Sequence, residues 1–118
     1  MPVRSLALGL ALLAAPALAH HGWGWTDGGE FTLTGTITAA DLGNPHGVLT
    51  VDVEGEAWIV EVGQPWRNAQ AGLTDAMLAP GAELTILGER SVDLAELPVK
   101  AEIVVIDGAR YVLYPDRV

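Results

Sequence analysis

From Phe31 to Ala39 the chain alternates strictly, with Phe31, Leu33, Gly35, Ile37 and Ala39 at one set of positions and Thr32, Thr34, Thr36 and Thr38 between them. A period of two sends successive side chains to opposite faces, so the run is a strand with one apolar face and one wet, β-branched face. Such a strand is not stable alone and requires paired neighbours and cover for its apolar side. The rest of the chain supplies candidates. Leu49, Val51 and Val53 alternate with Thr50, Asp52 and Glu54, Glu54-Gly55 marks a hairpin tip, and residues 57–62 form the return strand. Residues 41–47, rich in turn formers, separate this hairpin from the first strand.

The pattern then changes. Pro65 suits a first helical position, Trp66, Ala69 and Leu73 fall at helical spacing, and Gly72 offers a stop, which predicts one short helix. Ala79-Pro80-Gly81 is a turn before a strand carrying Leu84, Ile86 and Gly88. Residues 100–106 form a further strand, Asp107-Gly108 a hairpin turn, and residues 110–114 the last strand, while residues 91–98 have no clear period. The expected class is all-β: a small β-barrel of about five to six antiparallel strands with one short helix. Closure removes the exposed strand edges that invite aggregation. A helix between the third and fourth strands resembles the OB-fold and disfavours the alternative, a β-sandwich.

Residues 1–19 read as a signal peptide. Arg4 precedes an apolar run from Leu6 to Leu13, and Ala17-Leu18-Ala19 follows Pro16 as a cleavage triplet. The run is shorter than the roughly 20 apolar residues a membrane span needs, so no stable membrane insertion is expected after cleavage. Cleavage after Ala19 leaves residues 20–118 as a single OB-like domain in the periplasm. Losing Arg4 takes the net charge from −9 to −10. That balance repels phosphate backbones and excludes nucleic acid as the expected partner. The absence of cysteine excludes disulfides and thiolate metal sites.

Cleavage there also exposes a histidine. The chain has three histidines, His20, His21 and His46, and the first two would open the mature chain. The α-amine and Nδ1 of His20 form a chelate ring, and His46, in the loop Asn44-Pro45-His46, offers a third nitrogen. Alternatively, His21 binds together with the amine and the intervening amide nitrogen. Cu(II) favours a square set of nitrogens, so copper is the expected cofactor. Pro45 fixes its own φ and restricts Asn44, so the loop is pre-set. Asp27 and Asp41 are candidate oxygen ligands or, with Asn44, candidates to orient the imidazoles. The carboxylates Asp52, Glu54, Glu56 and Glu61 read as solvated strand faces. Trp58 is expected in the core, and Trp23 and Trp25 are expected to pin the terminus to the barrel.

The residues resemble a family. Ala19-His20-His21-Gly22-Trp23, Gly35-Thr36-Ile37-Thr38, Asn44-Pro45-His46, Trp58, Arg67 with Gly72-Leu73, Pro80-Gly81 and Tyr114-Pro115-Asp116-Arg117 are similar to small exported bacterial proteins catalogued as a domain of unknown function. The resemblance implies a periplasmic β-barrel and brings no established activity with it. The function expected from the residues is therefore periplasmic metal binding, with a metalloprotein or a transporter as partner. The alternative is a non-catalytic module for a peptide, a glycan or a partner protein, using Trp66, Arg67 and Tyr114. A copper-oxidase helper is a third reading, but Ser91 is the only serine beyond the leader and no catalytic constellation is legible.

Overall fold

The computed structural model describes residues 22–93 and 98–118. Six strands follow in order: β1 (Phe31–Asp41), β2 (Val48–Val53), β3 (Glu56–Glu61), β4 (Glu83–Arg90), β5 (Pro98–Ile106) and β6 (Ala109–Val112). Helix α1 (Pro65–Ala71) lies between β3 and β4, with 3₁₀ turns at Asp75–Leu78 and Pro115–Arg117. The sheet runs β3-β2-β1-β4-β5-β6, and an additional β3–β5 pairing closes its first five strands into a barrel.

β1 is shared between two neighbours. Phe31 to Thr36 pair with β4, and Thr36 to Asp41 pair with β2. Handing one strand from one partner to another requires a sharp bend, and Gly35 stands at it: a Cβ there would lie 2.3 Å from the Asp52 carbonyl oxygen. The threonine face is solvent-side at Thr32 and Thr34, and the Thr34 and Thr85 hydroxyls meet at 2.9 Å. Leu33 and Ile37 point inward and join Leu49, Val51, Val60, Leu84, Ile86, Val99 and Val104 in the core. A register shift between Ile37 and Ala39 ends the alternation, and Ala39 and Ala40 are exposed.

Both hairpins turn where expected. Glu54 and Gly55 have φ of 52° and 88°, Asp107 and Gly108 of 50° and 78°, the two-residue geometry that matches strand twist. Pro65 begins α1, and Gly72, left-handed at φ 92°, caps it by donating to the Ala69 and Asn68 carbonyls. Asn68 ties the helix to the segment that follows β3. Its side chain accepts from the Gly63 N–H at 2.9 Å and donates to the Gly63 carbonyl at 3.1 Å.

Several expectations are corrected. The strands are antiparallel except for β3 and β5, which run parallel through Ile59↔Pro98, Val60↔Val99 and Glu61↔Lys100. Five strands cannot alternate direction all the way around a ring, so one contact must be parallel. β5 begins two residues earlier than the periodicity indicated, because Pro98 and Val99 make this closing contact. β6 ends at Val112, and Tyr114 instead precedes the last 3₁₀ turn. Trp58 is only half-buried, packed 5.2 Å from Phe31 with the Arg90 guanidinium over both rings.

Candidate functional site

The loop between β1 and β2 carries His46 to the end of β3. There the register sets Glu61 opposite Val48 on one side and Lys100 on the other. Glu61 is not on a solvated face as its alternation suggested: it is 6% exposed, whereas Asp52, Glu54 and Glu56 are exposed. The reason is its place in the closing seam, where the end of β3 is covered by the β1–β2 loop and by the segment that precedes β1. Glu61 Oε1 lies 3.5 Å from His46 Nε2 and 3.3 Å from Lys100 Nζ.

The N-terminal segment reaches the same place. Lys100 Nζ donates to the Gly22 carbonyl at 2.7 Å and stands 4.7 Å from the centre of the Trp23 ring and 5.7 Å from that of Tyr114. Trp23 meets Tyr114 edge-on at 5.0 Å. Together Gly22, Trp23, His46, Glu61, Lys100 and Tyr114 wall a cleft of about 230 Å³. Two residues further along, Trp25 is buried, its carbonyl accepts from the Val92 N–H at 3.0 Å, and Thr26 bridges to Ser91. Trp23 and Trp25 thus fasten this segment across the barrel mouth.

A charged cluster holds Trp23 from its other side. The Arg117 guanidinium lies 3.8 Å from the Trp23 ring centre and donates through Nη2 to Glu89 Oε2 at 2.6 Å, while its Nε is 3.8 Å from Glu102 Oε1. Thr26 Oγ1 donates to Glu89 Oε1 at 3.3 Å. Burial raises the Glu102 carboxyl above its ordinary 4.5, and the hydrogen bond and charge of Glu89 push it further; Arg117 opposes the rise, and Glu30 adds to it. Burial likewise raises Tyr114, against the pull of Arg67 and with the push of Glu61.

Of the residues singled out from sequence, His46 lines the cleft, and His20 and His21 lie outside the described residues. Among the described residues no three His, Asp or Glu side chains converge to hold a metal ion. Asp27 and Asp41 close turns on their own backbone, accepting from the N–H groups of Gly29 and Gly43. Asn44 is exposed and precedes a cis peptide bond to Pro45. Trp66, Arg67 and Tyr114 do come together: the Arg67 guanidinium sits 4.6 Å from one ring centre and 4.2 Å from the other and donates to the Leu113 carbonyl at 3.0 Å. Glu61 and Lys100 were missed. The signal that could have found them is Lys100 itself, a lysine between Val99 and Ala101 in an apolar strand, which needs a buried counter-charge.

Among known proteins, a family of unknown function, DUF6152, matches residues 8–96. The chain belongs to this family. No curated protein matches it. Among solved structures, it is similar to a chain of the S. pombe Stn1-ten1 complex, with a TM-score of 0.53 and 20% identity over 65% of this chain. The alignment spans 57% of that chain, so the likeness speaks to the OB-like barrel alone. Among the described residues, no helix is long and apolar enough to cross a membrane.

Proposed function

We propose that this member of the family is an exported copper-binding protein whose metal sits at the cleft beside His46. In this reading the leader is cleaved after Ala19 and acts in the periplasm's favour by freeing the His20 α-amine. The amine and Nδ1 of His20 chelate the ion, and His46, with or without His21, completes the nitrogen set that Cu(II) favours. The observation that carries the reading is the Lys100–Gly22 hydrogen bond of 2.7 Å. It anchors Gly22 on the wall of the cleft that His46 lines. His21 is one peptide link from that anchor, about 3.8 Å between Cα atoms, and His20 is two. Gly22, the residue that follows the histidine pair in the sequence, is thus held at the cleft wall. The acidic balance of the chain, −9, attracts cations to it.

The alternative module that grips a peptide, glycan or partner protein through Trp66, Arg67 and Tyr114 has less support. Arg67 is engaged internally between two rings and a backbone carbonyl, which leaves Trp66, 55% exposed, as the open contact.

The test is a Cu(II) titration of three proteins: the chain beginning at His20, the same chain with one extra N-terminal residue, and His46→Ala. Both changes are expected to weaken binding at least roughly tenfold, since each removes a ligand. Equal affinity for all three would overturn the assignment.

A further inference from the structure

We propose that residues 22–29 are a strap across the barrel mouth that a proton latches: a proton held on the Glu89–Glu102 pair closes it, and loss of that proton loosens it. No metal takes part, and the strap is independent of the copper reading.

The strap lies outside the six-stranded sheet and is fastened at a few points. Trp25 is its buried anchor, and two main-chain bonds of 3.0 Å run beside it, from the Val92 N–H to the Trp25 carbonyl and from the Asp27 N–H to the Arg90 carbonyl. Side chains hold the rest. Lys100 takes the Gly22 carbonyl, Tyr114 meets the Trp23 ring edge-on, the Arg117 guanidinium lies over that ring, and the Thr26 hydroxyl reaches Glu89. The last two contacts lead to one cluster.

That cluster is short of protons. Glu89 is 3% exposed and the Glu102 side chain 15%, so water satisfies little of either carboxylate. One guanidinium serves both, with Nη2 at 2.6 Å from Glu89 Oε2 and Nε at 3.8 Å from Glu102 Oε1. Thr26 has a single hydroxyl proton for two acceptors, the Trp23 carbonyl at 2.8 Å and Glu89 Oε1 at 3.3 Å, and the carbonyl is the nearer. Glu30, ahead of β1, adds its negative charge against Glu102, and Arg110 of β6 lines the same recess as Glu30, Glu102 and Arg117. With Glu89 and Glu102 both ionised, two buried charges therefore divide one cation.

A proton on Glu102 relieves this shortage. The carboxyl becomes a donor to Glu89, and the guanidinium that lies over Trp23 is left to Glu89 alone. Burial and Glu89 both raise the Glu102 carboxyl above its ordinary 4.5, so the proton is held into milder acid than an exposed carboxylate would hold it. Its contribution is complete below the ordinary value and is lost as pH rises through the folded one. The strap is thus closed in mild acid and looser at neutrality. Gly22 and Trp23 form part of the cleft wall, so loosening the strap opens the cleft beside His46.

The experiment is hydrogen exchange read by mass spectrometry on the metal-free chain beginning at His20, at about pH 5 and about pH 7.5, with rates corrected for their intrinsic pH dependence. Amides of residues 22–29 are expected to be at least about threefold more protected at the lower pH, while those of β1 and β2 change less. Glu102→Gln, a permanent neutral donor, is expected to keep the strap closed at both pH values. Glu89→Gln leaves one carboxylate with Arg117 and is expected to abolish the pH difference as well. Equal protection of the parent strap at both pH values would overturn the proposal. So would a Glu102→Gln protein that keeps the parental difference, because another group, His46 included, then carries it. A change of the same factor in the strap and in β1 and β2 would show that the proton acts on the whole barrel, and the strap as a separate device fails. Thermal melts establish that each variant is folded, and Glu89→Gln decides the matter if Glu102→Gln is not.

Discussion

Replacing Arg117 by methionine should loosen the barrel mouth, and should do so far more at neutral than at acid pH. Methionine keeps an apolar stem over Trp23 but removes the cation between Glu89 and Glu102. Breaking a buried pair by deleting one partner costs about 3–5 kcal/mol. The Arg117 side chain is 34% exposed, so solvent screens part of the interaction, and about 2–3 kcal/mol is expected near pH 7. For a domain of this size that lowers Tm by about 10–20 °C. The sign of the pH dependence follows from Glu102. Its folded pKa lies above the ordinary 4.5, so its protonated form favours the fold below that value, and this contribution is lost as pH rises through the folded pKa. At neutral pH two carboxylates face each other and Arg117 offsets their repulsion. At about pH 4 one of them is protonated, and the cost of the substitution should fall to about 1 kcal/mol. Urea unfolding of both proteins at the two pH values measures this directly. A cost equal at both would show that Arg117 acts by packing alone, and a cost under about 0.5 kcal/mol near pH 7 would show that the cluster holds nothing.

Two further outcomes follow from the same geometry. Glu102→Gln removes the repelling charge while keeping a partner for Glu89, so it should raise stability near neutral pH and flatten the profile above the ordinary carboxylate range; urea melts across pH that show a loss at neutrality would refute it. Gly88→Ala would set a Cβ 2.0 Å from the Lys100 carbonyl oxygen, backbone against backbone, and should cost about 3 kcal/mol or more in thermal unfolding, whereas Gly24→Ala, with open space around it, should be near neutral.

The barrel was legible because its signals are local. Alternation in β1, two left-handed hairpin tips and the Pro65 to Gly72 helix each follow from a few neighbouring residues. What sequence did not carry is long-range. The parallel β3–β5 contact joins residues about 40 positions apart, and neither strand announces its partner. Glu61 looked like one more acid on a wet face because alternation records the pleat and not what later covers it. Likewise the Arg117 cluster depends on four segments of the chain meeting at one mouth. His46 lies in the loop between β1 and β2, as its turn-forming neighbours indicated, but Glu61 and Lys100 reach it from the strands that close the barrel.

That closure has a mechanical side. Among the described residues the β3–β5 seam shows three paired positions, against six each for β1–β4 and β2–β3, so there it is the stretch of the barrel wall with the fewest paired positions. Sub-global openings start where the fewest contacts must break. Glu61 and Lys100 face each other at one end of the seam, and Lys100 in turn holds Gly22. Parting β3 from β5 therefore separates the ion pair, while Lys100 keeps its hold on Gly22 from the β5 side. Anything that bridges the cleft would act as a clasp on that join.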